Sequence, residues 1–143
     1  MSHTSLLDEV EVRSLQARRD RRGGLLKILM RQHLPKEKQH FGEIYISWAE
    51  PGEIKANHYH EQTTEWFCLL AGRARLALVD PASERRRELL LNAEEPVVVT
   101  VPPGIAHAFQ NVGSVTAHLL AYADRPYDPK DPDTVPYPVL HHE

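Results

Sequence analysis

The stretch Gly52-Glu53-Ile54-Lys55-Ala56-Asn57-His58-Tyr59-His60-Glu61-Gln62-Thr63-Thr64-Glu65, closed by Gly72, decides how the rest of this chain is read. It has the form G-x5-H-x-H-x4-E-x6-G. A second stretch, Pro102-Pro103-Gly104-Ile105-Ala106-His107-Ala108-Phe109-Gln110-Asn111, has the form P-x-G-x2-H-x3-N. On a strand, residues i and i+2 share a face, so His58 and His60 are presented side by side to one interior. Glu61 to Thr64 is a short polar connection, after which the next strand is expected to fold back and aim the Glu65 carboxylate at the same point. His107 arrives about forty residues later, after a Pro-Pro-Gly turn. Imidazole and carboxylate donors gathered in this way suit one divalent transition metal: Zn, Mn, Fe or Ni. Four such ligands leave open positions on a five- or six-coordinate ion and fill a tetrahedral one.

Outward from these motifs the chain reads as short β-like runs. They are Leu25–Arg31, Gly42–Ala49, Ile54–Tyr59, Glu65–Ala71, Ala74–Asp80, Arg87–Leu91, Val97–Val101, His107–Asn111 and Thr116–Ala123. Pro51-Gly52, Ala71-Gly72, Asp80-Pro81, Pro102-Pro103-Gly104 and Val112-Gly113-Ser114 punctuate them. Helical periodicity is nearly absent. Upstream, Val10 to Leu15 predicts one more strand, and Arg18-Arg19-Asp20-Arg21-Arg22 predicts a solvated loop. Many short strands with Gly and Pro between them predict a sandwich or barrel. From Asp124 onward the character changes, with Pro126, Pro129, Pro132, Pro136 and Pro138 in one tail. Proline at that density excludes a helix interior or a central strand and predicts an extended strap over the barrel or over a partner subunit.

With 143 residues, 41% hydrophobic and 26% charged, the chain is one ordinary domain with a single core. A net charge of −3 without a long basic stretch excludes a nucleic-acid binder. The single cysteine, Cys68, lies in the apolar run Trp66-Phe67-Cys68-Leu69-Leu70 and reads as a small buried residue, with no intrachain disulfide available. Met1 to Asp8 carries no apolar signal region, and no run is long enough to span a bilayer, so no membrane association is expected and a cytoplasmic location is. His3, His33, His141 and His142 sit in polar or terminal stretches and are expected at the surface.

The two motifs resemble the signature pair of the cupin superfamily. The resemblance implies an all-β, single-domain jelly-roll barrel (a double-stranded β-helix). It also implies a three-histidine, one-carboxylate metal set of His58, His60, Glu65 and His107. The domain reading is an N-terminal arm over 1–23, a strand exchanged between subunits being one form of it, a cupin barrel over 24–123 and the Pro-rich strap over 124–143. Asn57 to His60, Glu65-Trp66-Phe67, Gly72-Arg73-Ala74, Val101 to Gly113 and Tyr127 to Thr134 narrow the likeness. They look like the C-terminal metal-binding cupin domain of the bifunctional UDP-sugar reductase/epimerase of capsular polysaccharide synthesis, over roughly residues 42 to 140. A more distant similarity is to dTDP-4-dehydrorhamnose 3,5-epimerase, through Asp20-Arg21-Arg22-Gly23 and His58-Tyr59, departing at His60. These resemblances imply a nucleotide-sugar epimerase or isomerase acting on a 4-keto sugar, a small-molecule substrate and a homodimer. Two other readings share the ligand set: an Fe- or Ni-dependent dioxygenase, and a non-catalytic carbohydrate-binding cupin.

Loss of a proton next to a ketone needs a base, an electrophile at the carbonyl oxygen and an acid. The catalytic candidates are Tyr45, His118 and Tyr122; each is equally a core or rim residue on position alone. The candidate substrate-binding residues are Lys55, Arg73 and Arg75. Strand alternation puts Lys55 on the face opposite His58 unless the strand bulges. Arg73 and Arg75 share a strand face, which either clamps a diphosphate with forked donors or is simply solvated. Trp66 and Tyr59 alternate away from the ligands.

Overall fold

In a computed structural model of the protein, which describes residues 5–142, the chain forms two five-stranded antiparallel sheets packed face to face, with a small hairpin outside them. The strands in chain order are β1 (Glu11–Ser14), β2 (Arg18–Asp20), β3 (Gly23–Leu25), β4 (Glu43–Ala49), β5 (Ile54–His60) and β6 (Glu65–Ala71). They continue with β7 (Arg73–Val79), β8 (Arg86–Asn92), β9 (Val97–Val101), β10 (Ala106–Asn111), β11 (Ala117–Ala123) and β12 (Thr134–Pro136). The first sheet runs β1-β9-β6-β11-β4 and the second β12-β5-β10-β7-β8. Sequence neighbours β4 and β5, and β5 and β6, lie in opposite sheets. This is the all-β jelly roll that the motifs imply.

Strict alternation along the strands builds the barrel interior. On β11, Ala117, Leu119, Ala121 and Ala123 are buried while His118, Leu120 and Tyr122 are half-exposed. Phe67 and Leu69 of β6 meet Leu76 and Leu78 of β7, Val99 and Val101 of β9 and Phe109 of β10 in one core. β6 is buried on both faces. Its outward Trp66 and Cys68 are covered by Leu26, Ile28 and Leu29 from the segment after β3. Gly72, which closes the first motif, has φ +88, and a Cβ there would sit 3.2 Å from the Ala117 Cα. Only glycine combines that backbone with so close an approach.

Three local expectations are revised. The strand expected over Leu25–Arg31 ends at Leu25; the residues after it are irregular, their backbone held by Arg13, whose Nη2 donates to the Ile28 carbonyl at 2.8 Å. The basic cluster expected as a loop is the exposed hairpin of β2 and β3, turned tightly by Asp20, which accepts from the Arg22 backbone N–H. β6 does not fold back beside β5: the Glu61–Thr64 connection carries the chain across to the opposing sheet. The expected upstream strand is present as β1, paired with β9. The tail docks as an extended strap, with β12 on the edge of the second sheet against β5 and with Val139 and Leu140 each 5% exposed. His33 and His142 are at or near the surface and His3 lies outside the described residues. No helix among the described residues is long and apolar enough to cross a membrane.

Candidate metal centre and active-site cavity

His58 and His60 project inward from β5, His107 from β10 and Glu65 from the first residue of β6. The register places His107 opposite His58 across β5 and β10. Glu65 reaches the same point from the facing sheet. One ligand atom from each of the four lies within 4.8 Å of all the others. His60 Nε2 is 2.8 Å from Glu65 Oε1, and His107 Nε2 is 3.6 Å from the same oxygen. His60 Nε2 and Glu65 Oε1 are both buried without a properly aligned hydrogen bond, unusual for polar atoms inside a barrel. Ligands held 2.0–2.2 Å from a common ion are separated by roughly 3–4 Å, so the set closes on one ion with small side-chain shifts. The remaining ring nitrogens are supported from behind. His107 Nδ1 is 3.1 Å from the Ile105 carbonyl, and His60 Nδ1 is 3.4 Å from Thr134 Oγ1 and 3.8 Å from Asp133 Oδ2. Such outer contacts orient imidazoles so that the other nitrogen faces a metal. The donor set fits a divalent transition metal.

The electrostatics agree with that geometry. Burial lowers the His58 pKa to about 4, helped by the neighbouring His107 and His60, so it is neutral and able to donate a lone pair at pH 7. Burial alone would also lower His60, but the close contact and charge of Glu65, with Asp133 behind, raise it. Burial would raise Glu65, yet the contacts from His107 and His60 hold it well below the usual carboxylate range. Tyr45 is 38% exposed overall, but its hydroxyl turns inward and donates to Glu65 Oε2 at 2.5 Å. Burial, then the Glu65 charge and hydrogen bond, push the phenol far upward, so it stays protonated.

A cavity of about 270 Å³ opens over the cluster. His58, His60, Glu65 and Tyr45 form its floor, and the strap residues Arg125 and Asp133 form a wall. Asp133 ties the strap down: it accepts from the backbone N–H groups of Glu61 and Gln62 (3.1 and 2.9 Å) and from the Thr63 hydroxyl. Arg125 pairs with Asp131 at 2.6 Å and approaches Asp133 at 3.7 Å. A second, apolar cavity of about 160 Å³ lies behind the cluster, between Phe67, Leu76, Phe109 and Leu119, and opens near Lys55.

Lys55 shares this inner side with His58 because β5 is bulged. Ala56 and Asn57 both have positive φ (77° and 56°), and the register to β10 slips between His107 and Ala108. The extra residue inverts the alternation upstream of His58. The Asn57 side chain leaves the barrel and holds the strap. Its Oδ1 accepts from Val139 N and Leu140 N at 2.8 and 2.9 Å, and its Nδ2 donates to Leu140 O at 3.0 Å.

The other candidates are not brought to the cluster. His118 lies on the outward face of β11 beside Trp48, ring centroids 6.2 Å apart. Tyr122 lies on the same outward face; its hydroxyl accepts from Gly42 N and donates to the His40 carbonyl. Arg73 and Arg75 are on the outward face of β7, whose Ala74, Leu76 and Leu78 fill the core; Arg75 Nη2 donates to Gln110 Oε1 at 3.1 Å. Alternation from Leu119 and Leu76 carries this information. Sequence reasoning missed Glu43, Arg125, Asp133 and Thr134 at the cavity. Glu43 stands two residues before Tyr45 on one strand face, a signal that was available; the strap residues carry no strand periodicity.

The family described as polysaccharide biosynthesis C-terminal domain matches residues 18–135. The spore coat polysaccharide biosynthesis protein SpsL of Bacillus subtilis is 26% identical over 133 residues, covering 90% of this chain and 87% of that protein. The probable low-salt glycan biosynthesis epimerase Agl13 of Haloferax volcanii is 27% identical over 139 residues, covering 92% and 88%. Among solved structures, a dTDP sugar isomerase from Desulfovibrio desulfuricans superposes with a TM-score of 0.79 at 22% identity, covering 96% of this chain and 89% of that one.

Proposed function

The chain belongs to the polysaccharide biosynthesis C-terminal domain family, and on that premise we propose that it is a metal-dependent epimerase or isomerase of a keto-sugar nucleotide used in polysaccharide assembly. The observation that carries this reading is the inward cluster of His58, His60, Glu65 and His107, the first three of which floor a cavity walled by Arg125, Asp131 and Asp133. The similarity to a probable glycan-biosynthesis epimerase over nearly the whole chain supports the reaction class. The cavity lies just below the usual range for small-molecule pockets, so it suits a sugar ring with the nucleotide reaching outward. Its wall offers carboxylates and one guanidinium, partners for sugar hydroxyls.

His58, His60, Glu65 and His107 would hold the ion, which when bound supplies Lewis-acid polarisation of the substrate carbonyl. The chain's own groups do the rest. Tyr45, protonated and donating to Glu65, holds that carboxylate in place at the cavity floor. The strap, held by Asp133 and Asn57, covers one side of the ring and limits water. A homodimer is part of the proposal. The outward face of the first sheet leaves Ile44, Ile46, Trp48 and Leu70 at 55%, 48%, 58% and 41% exposure, an apolar face suited to a second copy.

The test is elemental analysis of the purified protein beside a His60→Ala variant, followed by proton NMR of UDP- and dTDP-linked 4-keto sugars in D2O. Stoichiometric metal in the wild type, lost in the variant, with deuterium entering beside the ketone, is the expected outcome. Metal without exchange in any keto-sugar nucleotide refutes the isomerase reading.

A further inference from the structure

An imidazole nitrogen committed to an ion cannot also accept a proton, so the metal reading leaves the base of the reaction to another residue. The geometry points to Glu43 as that base, the group that removes the proton on the carbon next to the substrate carbonyl; the inference rests on the keto-sugar reading above.

Three observations converge on it. The first is position. Glu43 on β4 pairs with Ala123 on β11, and Ala123 pairs with Glu65 on β6. The three form one row across the sheet, and all line the cavity over the cluster. Two strand spacings separate the carboxylate-bearing backbones by roughly 9.6 Å. The residue between them is alanine, so a slot is left with Glu65 and its imidazoles at one end and Glu43 at the other. A substrate carbonyl directed at the cluster then presents its neighbouring carbon toward Glu43.

The second is availability. Every other carboxylate of the cavity is committed. Glu65 takes the Tyr45 hydroxyl and faces His60. Asp133 takes three donors from Glu61, Gln62 and Thr63. Asp131 pairs with Arg125, and Asp128 accepts from the Lys130 backbone N–H. Among the described residues, Glu43 is the lining carboxylate with neither a hydrogen bond nor an ion pair. The third is its neighbour. Tyr45 is two residues along the same strand face and lines the same cavity, its hydroxyl donating to Glu65 Oε2. The Tyr45 hydroxyl fixes the Glu65 end of the slot, and Glu43 stands at the other end as the free carboxylate that enolisation requires as a base.

The step balances. The C–H bond beside the carbonyl breaks and its proton passes to a Glu43 oxygen. The bonding pair becomes the new carbon–carbon double bond, and the carbonyl π pair moves onto oxygen. A proton from water at the cavity mouth, delivered to the opposite ring face, restores the carbonyl with inverted carbon. Glu43 then returns its proton to the hydroxide left behind.

Glu43→Gln and Glu43→Asp, compared with the wild type, test this. The readouts are deuterium entry from D2O into UDP- and dTDP-4-keto-6-deoxyglucose, calorimetric affinity for the same nucleotide sugars, metal content and thermal midpoint. For Glu43→Gln, exchange is expected to fall by at least about 100-fold, the lower range for loss of a general base. Affinity, metal content and midpoint should hold. Glu43→Asp should keep a measurable fraction of the rate and the acid limb of the pH–rate profile, which Glu43→Gln loses. Wild-type exchange that persists in Glu43→Gln overturns the assignment of Glu43 alone. Loss of exchange matched by equal loss of metal or affinity also overturns it, since Glu43 would then be structural. A wild type that takes up no deuterium from either substrate overturns the keto-sugar reading and this inference with it.

Discussion

Asn57 is the residue through which the barrel holds its strap, and replacing it gives a quantitative test. Three side-chain hydrogen bonds, to Val139 N, Leu140 N and Leu140 O, are lost in Asn57→Ala. At a net 0.5–1.5 kcal/mol each, they amount to roughly 1.5–4.5 kcal/mol. Alanine at φ 56 adds a left-handed cost of about 1 kcal/mol that asparagine tolerates better. Asn57→Gly loses the same bonds without that cost. Asn57→Asp keeps the acceptor for both N–H groups and loses one donor, leaving a deficit of about 1 kcal/mol. Urea unfolding followed by tryptophan fluorescence should therefore rank the variants wild type, Asp, Gly, Ala in falling stability. The strap also walls the cavity, so Asn57→Ala should weaken nucleotide-sugar binding while metal content holds. Destabilisation below about 0.5 kcal/mol in both Asn57→Ala and Asn57→Gly would refute the latch, because the tail would then contribute nothing to the folded state.

Further outcomes follow from the same structure. In the metal-free protein, His60 is held above its ordinary pKa by Glu65 and Asp133. Its protonated form therefore adds stability that is present below the unfolded histidine value and is lost as pH rises through the raised one. Metal affinity should move the other way, rising over that window, with a proton released on binding that calorimetry in two buffers measures. Glu65→Gln should shift the release to lower pH. Trp48→Glu places a charge on the exposed apolar face of β4, and light scattering should show dimer converted to monomer; an unchanged mass would place the subunit contact elsewhere.

The four clustered residues were legible because their spacing carries physics. Two imidazoles at i and i+2 on a strand must share a face, and alternation along β6, β10 and β11 was equally readable. His118 and Tyr122 show the limit of the same rule: alternation relative to Leu119 and Ala121 decides their face, but which face is inside depends on which residues the opposing sheet buries. Alternation puts Glu43 on the face of Tyr45, but only the pairing of β4 with β11 and of β11 with β6 sets that face beside Glu65. Arg125, Asp133 and Thr134 belong to a Pro-rich tail whose path has no period to read.

The sequence by itself determined that this chain is an all-β barrel, which four residues can gather at one point, and that its tail is an extended strap, because strand period, proline chemistry and donor type are local properties. Only the tertiary structure decided that β5 and β6 face each other across the barrel and that a bulge at Ala56 and Asn57 turns Lys55 inward. It alone decided that the strap, held by Asn57 and Asp133, completes the cavity. Two left-handed residues without a glycine carry no local signal. They persist because β10 on one side and the strap's backbone on the other supply the contacts that hold them.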